Sequence, residues 1–390
     1  MKHNKPVIIL AGRNDRATIA CLRSFERADI KYEISLPANR ESKLDPYNVV
    51  WKLSPYRNKI TSHNYHPIEN PDKFIKSLEK LRNSRGGFIL YPIGEAEMRT
   101  ILENINKIGK LGIEIGTVDI DTFLEISNKD TFTDLCRNYE IPIPKEIPYQ
   151  QAKNNLPFVA KPKYNITEDG RKITPYLIFN KRELDIFNNK EDKTDFFYQE
   201  FIQGTPYYYC SLWNDGEIVS KFTQQTIRQQ PNGKSVFKAS PANISNSILE
   251  KSNSMLNDLN WNGPIMIEFK LTGGDYYAIE ANPRFWGPLQ LAVDNGVDFP
   301  TMLYNQMTNS DKPTNTAPNK PKGYRWSTGY LNGLWMKYFN GGQFAEHTDE
   351  GATVDYNDVW LRKDTILNHY LYDLVGQGLT PASVVLYDRR

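Results

Sequence analysis

The chain has 390 residues, with 48 Lys plus Arg against 46 Asp plus Glu and a formal net charge of +2. That length exceeds what one hydrophobic core usually organises, so several subdomains with a ligand cleft between them are expected. Balanced charge gives no electrostatic reason to expect nucleic acid or an anionic membrane as partner, and directs attention to small-molecule ligands.

At the start, Met1 to Leu10 carries only the short apolar run Val7 to Leu10 before Gly12. That run is far below the length of a signal peptide or membrane span, and a cytoplasmic location is expected. Cys21, Cys136 and Cys210 lie far apart with no C-x-x-C pair, which fits a reducing compartment, packing roles and no zinc site. His3, His63, His66, His347 and His369 are scattered, so a histidine triad or zinc centre is not expected.

Through about residue 115 the sequence alternates strand and helix signals. Val7 to Leu10 reads as a strand, Ala17 to Ala28 as a helix with Ile19, Leu22 and Phe25 at helical spacing, and Asp72 to Arg82 as an amphipathic helix. Gly87 to Tyr91 reads as a strand and Met98 to Gly109 as one helix, a pattern that favours a parallel sheet. Gly12 alone is no dinucleotide fingerprint, because no G-x-G-x-x-G follows.

A further helix is expected from Asn128 to Tyr139, ended by Ile141-Pro-Ile-Pro144. Strands follow at Phe158 to Lys161, Phe196 to Ile202, Tyr207 to Trp213 and Glu217 to Thr223, the last two joined by the hairpin signal Asn214-Asp-Gly216. A helix at Ile244 to Leu259 leads into strands Pro264 to Leu271 and Tyr276 to Asn282 around Gly273-Gly274. Residues 309–323, rich in Pro, Asn, Thr and Lys, read as a linker to a Tyr- and Trp-rich tail.

The chemistry concentrates in that last hairpin. Alternation puts Ile265, Ile267, Phe269 and Leu271 on one face and Met266, Glu268 and Lys270 on the other. If the glycine turn closes the hairpin, Glu280 falls opposite Glu268 and Asn282 shares its face. Carboxylates directly opposed across a strand pair repel, so the arrangement makes sense with a cation between them; the competing reading is an edge hairpin with both acids in solvent. Hard oxygen donors favour Mg²⁺, with Mn²⁺ a second option, held by few protein groups and by nucleotide phosphates. Lys161 is a cation inside the apolar strand Phe158-Val-Ala-Lys-Pro162, costly to bury without an anion, and Lys129 stands at a helix start where free N–H groups favour phosphate. Arg228-Gln-Gln-Pro-Asn-Gly-Lys234-Ser235 is not a P-loop, since arginine stands where that motif requires glycine. Taken by itself it reads as a solvated basic loop.

The order Asn128-Lys129-Asp130, Phe158-Val-Ala-Lys161-Pro, Gln199-Glu200-Phe201-Ile202, Ile267-Glu268 and Ile279-Glu280-Ala-Asn282-Pro-Arg284 resembles the ATP-grasp superfamily. The likeness is to the modules of carbamoyl phosphate synthetase and biotin carboxylase and to related carboxylate-amine ligases. It implies an α/β fold with a Rossmann-like pre-ATP-grasp domain at 1–115 and an ATP-grasp domain at 116–308. Two α+β subdomains would clasp ATP, with a lid at about 150–200, the linker at 309–323 and a C-terminal segment at 324–390. Lys129 and Lys161 would hold phosphates, Glu200, Phe201 and Ile202 would line the adenine pocket, Glu268, Glu280 and Asn282 would bind Mg²⁺, with Glu268 also touching the nucleotide, Arg284 would face an acyl phosphate, and Arg228, Lys234, Ser235 and Lys238 would contact substrate or phosphate from a loop at the substrate end of the cleft.

The implied activity is an ATP-dependent carboxylate-amine or carboxylate-thiol ligase, with a kinase or a non-catalytic nucleotide sensor as rivals, and a homodimer is compatible with it. Two features depart from the pattern. The loop after Lys161 has only Gly170, leaving phosphate clamping to Arg171 or Lys172, and Tyr207 stands near the place of the usual ribose-binding acid.

Overall fold

The computed structural model describes residues 5–12, 15–37, 46–66, 70–163, 173–229, 235–340, 345–346, 354–364 and 367–376. Lys234 and the loop holding Gly170, Arg171 and Lys172 lie outside the described residues.

The amino-terminal part is a five-stranded parallel sheet of β1 (Val7–Leu10), β2 (Tyr32–Pro37), β3 (Ile60–His66), β4 (Ile89–Pro92) and β5 (Glu114–Ile115), in the order β3-β2-β1-β4-β5. A parallel sheet covered on both faces needs continuous apolar strands, and the fully buried Val7-Ile-Ile-Leu10 supplies one. Val7 and Ile9 pack with the helix Asp15–Arg27, whereas Ile8 and Leu10 pack with Phe74 and Leu78 of the helix Pro71–Arg85. The expected helix over Met98 to Gly109 is two helices, Glu95–Glu103 and Ile105–Lys110, parted at Asn104. The Asn104 side chain donates to the Thr100 carbonyl, so a local side-chain bond competes with the helical ladder there.

A small antiparallel sheet follows, β7-β6-β8, built from β6 (Phe158–Pro162), β7 (Tyr176–Ile178) and β8 (Phe196–Glu200). Phe158, Ala160, Phe196 and Tyr198 bury one face against Phe187 of the helix Lys181–Lys190. The strand expected to reach Ile202 stops at Glu200.

The largest sheet has eight strands: β9 (Thr205–Asn214), β10 (Glu217–Gln229), β11 (Val236–Pro241), β12 (Gly263–Thr272), β13 (Asp275–Asn282), β14 (Lys322–Arg325), β15 (Ala345–Glu346) and β16 (Asp355–Asp358). Its order is β13-β12-β9-β10-β11-β14-β16, with β15 on β10. Strand alternation divides its side chains between two cores: Tyr209, Ile265, Ile267 and Phe269 pack with the helices Lys129–Asn138 and Asn246–Asp258, while Tyr208, Cys210 and Met266 join the core of the amino-terminal helix Asp15–Arg27.

Three expectations are corrected here. β10 runs on to Gln229, past Thr223, so Arg228 lies on a strand and not in a loop. Pairing with β11 and β15 extends that strand. The expected linker 309–323 overlaps β14, which begins at Lys322 and pairs β11, and the residues after it add strands to the main sheet. All three cysteines are buried and free. No helix among the described residues is long and apolar enough to cross a membrane.

Candidate active site

The β12–β13 hairpin turns at Gly273 and Gly274, both with positive φ (60° and 91°), a conformation that costs glycine nothing. Its register sets Glu268 directly opposite Glu280 and Met266 opposite Asn282. A register shift between Glu268 and Phe269 leaves Ile279 as an extra residue in β13. The row continues across the sheet, since Glu268 also pairs with Tyr208 and Tyr208 with Gln224. Glu280, Glu268, Tyr208 and Gln224 therefore stand side by side on four neighbouring strands.

Electrostatics pushes the two carboxyls apart. Burial raises the pKa of Glu268 to about 8, with the charge of Glu280 adding and Lys270 and Lys161 opposing. Burial acts the same way on Glu280, but Lys129, the hydrogen bond from Asn282, Lys161 and Arg284 outweigh it and hold this carboxyl below its ordinary value. Lys129 Nζ lies 3.8 Å from Glu280 Oε2, and Asn282 Nδ2 donates to Glu280 Oε1 at 3.0 Å. Arg284 donates to Asn282 Oδ1 at 3.0 Å and to the Phe285 carbonyl at 3.0 Å, so it reaches Glu280 through Asn282 and not by a direct pair.

Lys161 projects from β6 and donates to the Ile279 carbonyl at 2.8 Å. Burial lowers its pKa to about 8, helped by Lys129 and opposed by Glu280. The small sheet thus delivers one lysine, and the helix start at Lys129 another, onto the same acid hairpin. Beyond β8, Phe201 packs against Phe179 with centroids 4.9 Å apart and lies under Lys270, 4.7 Å from its ring. Lys270 Nζ donates to the Ile202 carbonyl at 3.1 Å, while the Glu200 N–H donates to the Lys145 carbonyl.

Two residues escaped sequence reasoning. Gln199 and Gln224 are buried, and both amide atoms of each lack a partner among the described residues. Gln199 pairs with Val159, two residues from Lys161 opposite Phe197, so it shares the Lys161 face of the small sheet. Orphaned amides are costly unless a ligand satisfies them, and these two stand on the two surfaces that Lys161 bridges. Gln199 had a signal in the sequence, a glutamine after the aromatic run Phe196-Phe-Tyr198, whereas Gln224 lies in a largely polar strand and had none.

The remaining candidates do not gather at the acid pair. Arg228 pairs in register with Lys238 and Glu346, and its guanidinium lies 5.0 Å from the Tyr330 ring centroid. Lys238 lies over Tyr356 at 3.8 Å, and Ser235 is half-buried just before β11. Among the described residues no cluster of three His, Cys, Asp or Glu side chains is placed to hold a metal. A cation at the hairpin would take only Glu268, Glu280 and Asn282 from the protein, a donor set that suits Mg²⁺ completed by phosphate oxygens. Opposed acids with split pKa values fit that ion.

Comparison with known proteins agrees at the level of fold. No protein-family model matches, and no curated protein matches in sequence. Among solved structures, the ADP complex of N5-carboxyaminoimidazole ribonucleotide synthetase superposes with a TM-score of 0.58 at 12% identity, covering 99% of this chain and 98% of its own. The ATP-complexed biotin carboxylase of Campylobacter jejuni gives 0.55 at 14% identity, over 79% of this chain and 72% of that one. Rhizobium etli pyruvate carboxylase gives 0.56 at 16% identity over 79% of this chain, which spans only 29% of that larger protein. These are ATP-grasp proteins, and the fold of this chain is the ATP-grasp fold.

Proposed function

We propose that the chain is an ATP- and Mg²⁺-dependent ligase that activates a carboxylate as an acyl phosphate and transfers the acyl group to an amine. The observation that carries this reading is the opposed pair Glu268 and Glu280, linked on one side to Lys129 and Lys161 and on the other, through Asn282, to Arg284. Lys161 and Lys129 bind the nucleotide phosphates, the segment Glu200, Phe201 and Ile202 receives adenine, and Gln199 and Gln224 find their missing partners in the cleft. Glu268, Glu280 and Asn282 hold Mg²⁺, which when bound neutralises phosphate charge. Arg284 holds the substrate carboxylate in line with the terminal phosphate and meets the charge that builds on the transferred group. One carboxylate oxygen takes the phosphoryl group as ADP leaves; the amine then attacks the carbonyl carbon, and phosphate departs with that oxygen. The site's work is positioning and charge, with no covalent bond to the protein. The assembly acts within the chain's own domains, a Rossmann-like 1–115 and an ATP-grasp 116–308 with its lid near 150–200.

The test is ADP and phosphate release from Mg-ATP across pools of carboxylates, with and without amines, beside Glu280→Gln. Release that requires both substrates and vanishes in the variant supports the ligase. A phosphorylated product that accumulates without any amine would replace it with a kinase, and nucleotide binding without stimulated release would replace it with a sensor.

A further inference from the structure

Away from the acid hairpin, three helices meet: Pro46–Lys52 of the amino-terminal part, and Ser327–Asn340 and Leu367–Gly376 of the tail, the last packed on both others. Their inward contact is aromatic. His369 is buried against Trp51 and Trp360, with ring centroids 4.4 Å and 5.9 Å away. Asp373, one turn further along the same helix, accepts from Trp326, Trp360 and Thr328. The carbonyl of Leu53 accepts from the Asn368 side chain, so the tail helix is also tied to the end of Pro46–Lys52.

The outward side of these helices is apolar as well. Residues two apart on a helix lie about 200° around it, so Val49 and Leu53 point away from Trp51, and Leu367 and Leu371 away from His369. Leu53 continues the turn, its N–H donating to the Val49 carbonyl at 3.0 Å. Leu331 and Leu334 of Ser327–Asn340 are exposed too, as is Leu361 beside Trp360, and all seven side chains keep between 36% and 63% of their surface in water. Among the described residues ten large hydrophobic side chains are exposed, and these are seven of them. Exposed leucines scattered singly are ordinary, but a gathering of them on helices that pack together marks a face made to be covered.

We propose that a second copy of this chain covers the face, so that the protein is a homodimer in which the leucine patch meets its twin across a twofold axis. Area is one reason to choose a second copy. The seven side chains offer on the order of 600 Å², and an interface of standard size takes about 800 Å² from each partner, roughly two-thirds of it apolar in homodimers. Charge is the other. The three helices carry only Lys52, Lys337 and Asp373 as charged residues, in a chain of which 24% is charged, and Asp373 is turned inward onto the indoles. A face so poor in charge meets its own copy without opposing like charges, whereas a membrane surface would call for a rim of several lysines and arginines. The dimer adds a partner to the ligase reading and does not depend on it.

Sedimentation of the full chain over a range of concentrations tests it. The parent should run at twice the chain mass of 45.1 kDa, and its melting temperature should climb with protein concentration. Leu53→Glu and Leu371→Glu each bring like charges into the contact from both copies, so each variant should run as a monomer where the parent is dimeric. Their melting temperatures should no longer depend on concentration and should equal that of the parent at high dilution, which is the folding control, since both leucines are exposed in the single copy. Val219→Glu charges a similarly exposed side chain on β10, outside the three helices, and should stay dimeric. A parent that is monomeric throughout overturns the proposal and leaves the face to residues 377–390 or to a different protein. A dimer that survives both leucine substitutions, or one that Val219→Glu abolishes equally, overturns it too.

Discussion

The carbonyl of Ile279 accepts a hydrogen bond from Lys161 Nζ at 2.8 Å, and Ile279 is the residue that the register shift leaves unpaired between Glu280 and Ala278. The extra residue turns a backbone acceptor out of the ladder, and the small sheet uses it to anchor its buried lysine beside Glu280. Without nucleotide, this bond offsets part of the cost of burying the ammonium; phosphate would offset far more.

Replacing Lys161 by Met is therefore expected to weaken nucleotide binding by at least about tenfold while the fold persists, since a methionine of similar length fills the same space. Calorimetric titration with Mg-ADP and Mg-ATP reads the change. Equal affinity for both nucleotides in variant and parent would take Lys161 out of the phosphate site.

The two acids should respond differently to amide substitution. Glu280→Gln removes a carboxyl that Lys129, Asn282 and Arg284 all help keep charged, so turnover should fall by at least about a hundredfold with little change in melting temperature. Glu268→Gln removes a carboxyl that burial already disfavours as an anion. Its ligand-free form should be as stable as the parent or more so near neutral pH, while Mg²⁺-dependent turnover is lost. Comparable destabilisation by both substitutions would deny this division of roles.

pH gives an independent reading of the same pair. Glu268 has its pKa raised to about 8 from an ordinary 4.5, so its stabilisation of the ligand-free fold is complete below 4.5 and is lost as pH rises through about 8. Lys161, brought down to about 8 from 10.5, has the opposite sign: its contribution is present above 10.5 and lost as pH falls through about 8. A Mg²⁺ ion held by Glu268 would need its ionised form. The rise in melting temperature produced by Mg²⁺ with nucleotide should therefore grow as pH climbs towards 8, and Glu268→Gln should flatten that growth. A Mg²⁺ effect independent of pH in the parent would exclude Glu268 as a ligand.

How far the sequence carried these conclusions differs by element. The opposition of Glu268 and Glu280 follows from strict alternation and a glycine turn, both visible in a single chain of residues, and the buried run Val7-Ile-Ile-Leu10 announces a parallel strand as plainly. Arg228 was placed in a loop because β10 owes its last residues to pairing with β11 and β15, which is non-local information. The break at Asn104 depends on a side-chain bond that competes with the helix, and helical periodicity runs through it unaltered.

A last expectation concerns the contact between the helices Asp15–Arg27 and Phe299–Thr308. Asp298 is fully buried and accepts from Ser24 and Arg27, while Ser24 also bonds Thr301 at 2.8 Å. Arg27 keeps 35% of its side-chain exposure, so water can receive it when the pair is broken, but Ser24 and Thr301 have no such outlet. Asp298→Ala is expected to cost about 2–4 kcal/mol through the stranded hydroxyls and the lost pair, and Asp298→Asn less, because the amide oxygen still accepts from Ser24. Neither should alter nucleotide affinity, since Asp298 bonds Ser24 and Arg27 of the helix Asp15–Arg27 and none of the acid-hairpin residues. Urea midpoints for the two variants, with Mg-ADP titrations on the folded protein, decide the matter: equal midpoints for Ala, Asn and parent would show that the network holds nothing in place.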